Sequence, residues 1–260
     1  MCVEPTTTRA REDAMIDDET RRKLREMNMG EMVEALDFQE GDRTIMSVPF
    51  DERVKMMVGH AYEEKRVASV KRLTQRARPR FPDAEPGEMI YDGRGTGGVL
   101  VREAMACQFM SGAASVVIEG CTGKSYLACC MAKHACRMRR SARHIRLPDL
   151  LMERDELAAT ERSDAKILKK HARYELLVID EWLTEDVDDV AIRFLLELVE
   201  RRYMDRSTVL CTQYSPADWH GRLGGGVQAD AMIDRIVHGS VRIDLGDVNV
   251  RKLPASGRSA

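Results

Sequence analysis

The sequence predicts an α/β fold, a five-stranded parallel sheet with helices on both faces, behind a small all-helical N-terminal domain. The first observation is that short apolar runs alternate with helical patterns from residue 98 onward. The second is an apolar run at 116–118 that leads into a Gly-Lys-Ser turn, and the third is an apolar run at 176–179 that ends in two carboxylates. Strands separated by helices need right-handed crossovers, which make the sheet parallel and cover both of its faces.

The composition is that of a globular protein with a sizeable core. Apolar residues make up 43% and charged residues 32% of the 260 positions, and the net charge is only -2. Any affinity for nucleic acid must therefore come from local basic patches. No run of about 18 apolar residues is present, and the polar N-terminus lacks the apolar segment of a secretory signal. We therefore expect a cytoplasmic protein with no membrane partner.

The cysteines predict reduced thiols rather than disulfides. Their number is odd, no Cys-x-x-Cys spacing occurs, and they stand at positions 2, 107, 121, 129, 130, 136 and 211. A metal site built from Cys129, Cys130, His134 and Cys136 is one interpretation. All four lie on one predicted helix, where cysteine usually behaves as a small buried apolar residue, and we favour that interpretation.

The N-terminal part is predicted to be helical after a disordered tail over 1–20. Apolar residues at helical spacing predict helices over 21–37 and 51–77. Seven basic residues and no acidic ones stand between Lys65 and Arg80, and prolines at 79, 82 and 86 then end the helix. The predicted organisation is a helical domain with this basic segment over 21–80, a linker over 81–97, a core domain over 98–253 and a tail over 254–260.

The core is predicted to alternate strands and helices. The predicted strands cover 115–119, 144–147, 175–180, 208–212 and 241–245. The predicted helices cover 99–110, 126–139, 149–159, 164–172, 187–204 and 227–238. Ser215 followed by Pro216 predicts a further helix start, because serine is a favourable N-cap and proline suits the first helical position.

A phosphate-binding loop is predicted directly after the first core strand. It consists of Gly120, Cys121, Thr122, Gly123, Lys124 and Ser125. Small residues let backbone N–H groups point at phosphate oxygens, and the start of the following helix adds partial positive charge. Lys124 would reach the β- and γ-phosphates of ATP, and the Ser125 hydroxyl would bind Mg²⁺. The alternative is a plain strand-to-helix turn, because the loop is two residues shorter than the usual motif.

The acidic pair Asp180-Glu181 strengthens the nucleotide interpretation. It ends an apolar strand, where ligands bind in open α/β sheets. Asp180 would hold Mg²⁺, and Glu181 would orient and deprotonate the attacking water. The alternative is a solvated acidic turn. Since a Gly-Lys-Ser loop precedes the pair by some 55 residues, the two motifs together favour ATP and Mg²⁺ as cofactors.

Two further polar residues are candidates for the reaction. Gln213 follows the strand over 208–212 and would contact the γ-phosphate or the water, although it could equally be a turn residue. Arg235 stands on a predicted amphipathic helix, where it would act in trans on the nucleotide of a neighbouring subunit. Taken alone, Arg235 reads better as a surface arginine paired with Asp230 or Asp234.

Two basic stretches are candidates for duplex DNA binding, because clustered cations bind phosphate backbones by releasing counterions. They run from Lys65 to Arg80 and from Lys133 to Arg146. The residues singled out are Lys65, Arg66, Lys71, Arg72, Arg76, Arg139 and Arg140. Each stretch taken alone can be interpreted equally well as a solvated helix face. Aromatic residues make up only 5% of the chain, so stacking on single strands is not supported.

The order of these features resembles IstB, the ATP-binding helper of insertion sequences of the IstA/IstB type, and more distantly the DnaC helicase loader. The resemblance covers about residues 21 to 253. It is carried by Lys23-Leu24-Arg25-Glu26-Met27, Met32-Val33-Glu34-Ala35-Leu36, Gly123-Lys124-Ser125-Tyr126-Leu127-Ala128, Arg146-Leu147-Pro148-Asp149-Leu150-Leu151, Leu177-Val178-Ile179-Asp180-Glu181-Trp182-Leu183 and Asp230-Ala231-Met232-Ile233-Asp234-Arg235-Ile236-Val237-His238.

The resemblance implies a P-loop AAA+ core without a C-terminal helical lid. It also implies ATP-dependent self-assembly on duplex DNA and recruitment or stimulation of an IstA-like transposase. Gln213 then matches sensor 1, Arg235 the trans-acting arginine and Arg251 a sensor-2-like arginine. Two departures stand out: the loop is two residues short, and Asn249 stands where the family tends to have serine.

Two other functions remain open from the sequence. One is a helicase loader of the DnaC type, which shares the ATPase core. The other is a degenerate P-loop protein that binds DNA or a partner without hydrolysing ATP. An eight-residue frame ending at Ser125 begins at Ile118, inside the strand. Two missing residues remove about 7 Å of chain reach, so we expect nucleotide binding weaker than in an ordinary P-loop ATPase.

Overall fold

A computed structural model of the chain describes residues 16–88, 98–158 and 164–246. The described residues divide into two compact units, one ending at Lys71 and the other beginning at Arg72. The first unit is helical. Its helices are α1 (Asp18–Glu26), α2 (Gly30–Gly41), α3 (Arg43–Met46) and most of α4 (Phe50–Ala77), which continues into the second unit.

The single helix predicted over 21–37 is wrong, because the structure contains two helices there. Asn28 adopts a left-handed backbone conformation with φ 56°, which ends α1 before α2 begins at Gly30. α1 also begins earlier than predicted, inside the expected tail, because the Asp17 side chain accepts a hydrogen bond from the Thr20 N–H at 2.7 Å and caps it. The helix predicted over 51–77 is confirmed by α4.

The second unit contains the predicted five-stranded parallel sheet. Its strands are β1 (Val116–Glu119), β2 (Ala142–Arg146), β3 (Leu176–Trp182), β4 (Ser207–Thr212) and β5 (Val241–Asp244). Their order across the sheet is β2-β3-β4-β1-β5, and every pairing is parallel. The helices are α5 (Gly98–Met105), α6 (Lys124–Arg137), α7 (Leu147–Ala158), α8 (Ala165–Ala172), α9 (Asp189–Arg202), α10 (Pro216–Arg222) and α11 (Gly226–Val237).

Most element boundaries shift by one or two residues from the predictions, and the largest difference is in the first helix of the core. The helix predicted over 99–110 ends at Met105, because Cys107 has a left-handed backbone with φ 55°, and a 3₁₀ helix follows over Gln108–Gly112. The strand predicted over 144–147 begins at Ala142 and stops at Arg146, since Leu147 already belongs to α7. The helix start at Ser215-Pro216 is confirmed, with Ser215 and Asp218 forming a capping box.

The sheet is buried on both faces. Val116 and Ile118 of β1 pack in one core cluster with α5 and α6, whereas Val117 packs in the other cluster with α7 to α11. Cys129, Cys130 and Cys136 are core residues of the first cluster, as their helical placement predicts. Burial raises the pKa of the Cys130 thiol to about 12, so this side chain behaves as an apolar group.

The topology brings the carboxyl ends of β1, β4 and β3 side by side at one edge of the sheet. In open α/β sheets this edge is where ligands bind, since the loops that follow the strands leave a crevice there. None of the helices in the described part of the chain combines the length and apolar character that a membrane crossing requires.

Candidate functional site

A polar cleft of about 250 Å³ lies at this edge of the sheet. The structure brings most of the predicted site residues together in it. The lining includes Cys121, Thr122, Gly123, Lys124, Ser125, Asp180, Glu181 and Gln213, and also Arg80, which the sequence did not associate with the site. The phosphate-binding loop, the acidic pair Asp180-Glu181 and Gln213 are distant in sequence. They nevertheless line one cleft, as the sequence motifs predicted.

The loop between β1 and α6 consists of only four residues, 120–123. β1 remains paired with β5 through Glu119, and α6 begins at Lys124, so neither element gives up a residue to lengthen the loop. Gly120 and Gly123 have φ of 114° and 94°, a conformation that favours glycine. A Cβ on Gly120 would lie 3.0 Å from the Gly246 carbonyl oxygen, so this position also requires glycine for space.

Two polar groups of the loop are engaged within the chain. The Cys121 N–H donates to the Gly246 carbonyl at 3.0 Å, which ties the loop to the residues after β5. The Lys124 ammonium, 9% exposed, donates to the Gly120 carbonyl at 2.5 Å. A phosphate in this cleft would therefore have to replace the carbonyl as the partner of Lys124 and would not find the Cys121 amide available.

Asp180 has the features of a metal ligand. The residue is 1% exposed, its Oδ1 accepts a hydrogen bond from the Glu181 N–H at 2.9 Å, and its Oδ2 has no hydrogen-bond partner in the structure. His144 Nε2 lies 3.6 Å from Oδ2. Burial lowers the pKa of the His144 imidazole, which therefore stays neutral at pH 7 and does not offset the carboxylate charge. A hard cation such as Mg²⁺ suits this oxygen.

Glu181 stands on a β-bulge in β3. Ile179 pairs with Leu210 and Trp182 with Thr212, so Asp180 and Glu181 together lie opposite one residue of β4. Glu181 has a left-handed backbone with φ 57°, which costs a non-glycine residue on the order of 1 kcal/mol. Bulges turn side chains away from the regular alternation, and here two consecutive carboxylates line the same cleft.

Arg80 is a site residue that the sequence analysis missed, since it was read only as part of the basic segment. Its Nη1 lies 2.8 Å from Glu181 Oε1 and 3.7 Å from Asp180 Oδ2. Arg146 Nη1 lies 3.6 Å from the other oxygen of Glu181. Arg80 is 101 positions away from Glu181 in the chain, and no spacing rule connects them. The cation therefore lies beside Asp180, which is predicted to hold the metal, and beside Glu181, which is predicted to act on the water.

The segment around Arg80 is held against α6 by specific contacts. The Phe81 and Tyr126 rings lie 5.9 Å apart, and the Tyr126 hydroxyl accepts the Glu85 N–H at 3.0 Å. Glu85 accepts hydrogen bonds from Lys133 at 2.9 Å and Arg137 at 2.7 Å, which lower the pKa of its carboxyl. Two cations of the second basic stretch are therefore neutralised here.

The remaining catalytic candidates have different placements. Gln213 is exposed and follows β4 directly, at the cleft, as predicted. Arg235, on α11, does not line the cleft, and its ion pair is with Glu200 of α9. The expected partners Asp230 and Asp234 are therefore wrong, because α11 packs on α9 and brings a carboxylate distant in sequence to the arginine. Arg251 lies outside the described residues.

The candidate DNA-binding residues divide into two groups. Lys65, Arg66 and Arg140 form ion pairs with Glu31, Glu63 and Glu175, at 3.3, 3.2 and 2.7 Å respectively. The others are exposed, and none of them has an ion pair with a carboxylate in the described part of the chain; they are Lys71, Arg72, Arg76 and Arg139. The second group has the charge free for phosphate contacts.

The sheet order, the phosphate-binding loop and the acidic pair define the class of protein as a P-loop AAA+ ATP-binding protein. The family model described as IstB-like ATP-binding protein matches residues 22–256. The chain belongs to this family, and the predicted resemblance is confirmed.

Two named relatives support this assignment. An insertion-sequence ATP-binding protein of Sinorhizobium fredii is 37% identical over 131 residues, which cover 50% of this chain and 52% of the relative. The chain therefore spans about half the length of that relative. The ATP-binding protein of insertion sequence IS1162 from Pseudomonas fluorescens is 26% identical over 202 residues, which cover 76% of this chain and 87% of the relative.

Solved structures share the fold. DnaI has a TM-score of 0.52 at 15% identity, over 63% of this chain and 91% of its own. The replication initiator DnaA, bound to AMPPCP and single-stranded DNA, has a TM-score of 0.51 at 16% identity, over 63% of this chain and 51% of its own. At these identities the similarity establishes the AAA+ architecture alone.

Proposed function

We propose that the protein binds Mg-ATP in the cleft, assembles with it as a homo-oligomer on duplex DNA, and recruits or stimulates the transposase of its insertion sequence. The observation that carries this proposal is the convergence of Lys124, Ser125, Asp180, Glu181 and Gln213 on one cleft at the carboxyl edge of the sheet. The names of the insertion-sequence relatives support the role in transposition.

Each side chain of the cleft has a chemical role in this proposal. A bound nucleotide with its Mg²⁺ would supply the phosphoanhydride bond for hydrolysis. Its charge would couple nucleotide binding to assembly of the oligomer. Lys124 would neutralise the β- and γ-phosphates, and the Ser125 hydroxyl and Asp180 Oδ2, which accepts no hydrogen bond from a described residue, would hold the metal. Glu181 accepts a proton from the attacking water. Gln213 orients that water or the γ-phosphate.

Arg80 sets a condition on this chemistry. The Arg80 guanidinium lies 2.8 Å from Glu181 Oε1 and so occupies a carboxylate oxygen that would otherwise contact the attacking water. Glu181 therefore acts as a base only after Arg80 has left it. The trans-acting role of Arg235 likewise requires a change of partner. Arg235 must leave Glu200 before it can contact the nucleotide of a neighbouring subunit.

The degenerate P-loop alternative has its own support. The Cys121 N–H is bonded to Gly246 and the Lys124 ammonium to Gly120, so these two phosphate-binding groups already have partners without a ligand. In this alternative the protein still binds DNA and the transposase, but it does so without a nucleotide.

Mass photometry on a duplex of about 50 base pairs separates these possibilities, with no nucleotide, Mg-ADP or Mg-ATP added. We expect large assemblies on DNA only with Mg-ATP, none with Lys124→Ala, and persistent assemblies with Glu181→Gln, which binds ATP without cleaving it. Pull-down of the transposase encoded beside the gene should follow the same pattern. Assemblies of equal size in all three nucleotide states would favour the degenerate alternative, and a chain that binds no duplex would overturn the proposal.

A further inference from the structure

A basic pocket lies at the β2 edge of the sheet, apart from the nucleotide cleft. It has a volume of about 560 Å³, and five cationic side chains line it without a carboxylate among its lining residues. We call it the β2-edge pocket and define it by Arg76, Arg78, Arg143, Lys170 and Arg173. All five belong to the second unit, so the pocket is formed within one compact body. A concave site whose charged lining residues are all cations is complementary to an anion.

Arg143 is the central observation. It is only 9% exposed, and its Nε is buried without a hydrogen-bond partner in the described structure. It also has no ion pair with any carboxylate among the described residues. A buried guanidinium with an unused donor is costly, because the charge loses hydration, and here the carboxylates of Glu153 and Asp149 offset it only from beyond ion-pair distance. No described residue supplies the missing acceptor for Nε, and a phosphate oxygen is an acceptor of the right chemistry.

The neighbours of Arg143 increase this cost. Burial and the positive charge of Arg78 lower the pKa of the Arg143 guanidinium. Arg76, Arg78 and Arg173 are exposed and likewise have no ion pair with a described carboxylate. Lys170 alone is neutralised, by Glu153. Four positive charges around one cavity repel one another until an anion enters. This electrostatic repulsion destabilises the free protein, and binding of an anion relieves it.

The backbone at Arg78 strengthens the case for a built site. Arg78 has φ 49°, a left-handed conformation that a non-glycine residue adopts at a cost, and Pro79 follows it. Arg78 also lines an adjoining cavity of about 480 Å³ together with Arg143. Strained residues that persist in a fold cluster at ligand sites, where the surrounding contacts hold them in place.

We propose that the β2-edge pocket binds a phosphate group, with Arg143 as its buried donor, and that the group is a backbone phosphate of duplex DNA. The choice of DNA as the source rests on the proposed function. Planar guanidinium groups hold phosphate through paired hydrogen bonds, which the arginine-rich lining provides. Four arginines around one cavity can fix the register of the protein on the backbone without reading bases.

The pocket is tested first with tripolyphosphate as the probe, by thermal unfolding without Mg²⁺. We expect tripolyphosphate to raise the Tm of the wild type, and Arg143→Met to abolish most of that rise while leaving the Tm without anion unchanged or higher, since an unpaired buried charge is removed. Arg78→Gln, at an exposed position, should reduce the rise as well. Lys169→Met, on α8 but outside the pocket, should retain it. Equal rises in Arg143→Met and the wild type would overturn the proposal.

Duplex DNA titrations at several salt concentrations then test the source of the phosphate. We expect Arg143→Met to weaken binding several-fold for every sequence and to reduce the slope of log K against log salt by about one unit, while Lys169→Met does not. Loss of the tripolyphosphate effect with unchanged DNA affinity would overturn DNA as the source and leave the proposed function standing. A wild type that binds no duplex would instead refute the proposed function.

Discussion

Arg80 is the residue whose position most changes the view of the nucleotide site. It lies within ion-pair distance of both carboxylates that are expected to serve the metal and the water. Its side chain is 44% exposed, so solvent screens the pair and its contribution is about 1 kcal/mol. The competition between this cation and Mg²⁺ is therefore modest and measurable.

We expect Arg80→Gln to bind Mg-ATP about fivefold more tightly, because the cation no longer has to be displaced from the carboxylates. Isothermal titration calorimetry measures the change. Arg146→Gln is the matched control: its contact with Glu181 is longer, 3.6 Å, and it is also paired with Asp149, so its effect should be smaller. Weaker binding by Arg80→Gln would show instead that Arg80 contacts the nucleotide.

Arg202 is a second buried cation, with a structural role. The residue is 2% exposed and donates to the carbonyls of His171, Ala172, Tyr174 and Ser207 and to the Thr208 hydroxyl. It joins the end of α9 to the chain entering β3 and β4. Unlike Arg143, it has its donors satisfied by the protein itself.

We expect Arg202→Met to lower the free energy of unfolding by about 3 to 5 kcal/mol, because several buried carbonyls lose their donor at once. Urea denaturation measures the loss. The neighbouring Arg201→Met removes an equal charge from an exposed i,i+4 pair with Glu197 and should cost about 0.5 kcal/mol or less. Similar losses in both variants would contradict the role of the buried hydrogen bonds.

The loop between β1 and α6 shows how two regular elements constrain a functional segment. Both keep their full length, so the shortage of two residues falls entirely on 120–123. Within the loop the Cys121 N–H donates to Gly246, and the Gly120 carbonyl accepts from Lys124. Curling around a phosphate would break these bonds or unwind an element, at a cost of a few kcal/mol.

We therefore expect the chain to bind Mg-ATP about a hundredfold more weakly than a version with two residues inserted between Gly120 and Gly123, which restores Gly-x-x-x-x-Gly-Lys-Ser. Calorimetric titration of both proteins tests this. An equal insertion between Gly224 and Gly225, in the turn after α10, is the control for insertion itself. Tight binding by the natural chain with no gain on insertion would show that the short loop is sufficient.

The sequence predicted every strand of the sheet, because buried parallel strands read as apolar runs bounded by polar turns. It also predicted most of the cleft, because the ends of adjacent parallel strands must meet. What it could not predict depends on single backbone conformations and long-range contacts. Asn28 and Cys107 break helical patterns without glycine or proline, and the bulge at Glu181 leaves no trace in the strand's hydrophobicity. Arg80 and the Glu200 partner of Arg235 follow from packing alone.

At the scale of the whole molecule, we expect the protein to self-associate. A trans-acting arginine needs a neighbour's nucleotide, and Arg235 is held by Glu200 in the single chain. We expect Arg235→Ala to abolish the increase in particle size that Mg-ATP and DNA produce, and Glu200→Gln, which releases the arginine, to retain or enhance it. Light scattering measures both. A wild type that stays monomeric at all concentrations, with and without ATP and DNA, would refute this expectation.

Binding to DNA is expected to show little sequence preference, because the available charges contact phosphates and not base edges. Arg72→Glu combined with Arg76→Glu should weaken duplex binding at least tenfold and flatten its salt dependence by about two units. Lys55→Glu, at an exposed position of α4 outside the basic segment, is the control. Fluorescence anisotropy over a salt series measures the effect. Unchanged binding with an intact fold would remove the basic segment from the interface.

The bond between Cys121 and Gly246 has a consequence for how the protein is made. The loop is synthesised before the middle of the chain, yet the carbonyl that fixes it arrives with residue 246, after β5. A ribosome makes about 5 to 20 residues per second, so the loop waits several seconds for this partner while the growing chain leaves the exit tunnel. β1 gains its neighbours β4 and β5 over the same interval. The nascent chain thus completes its nucleotide loop only after α5 to α11 have been translated.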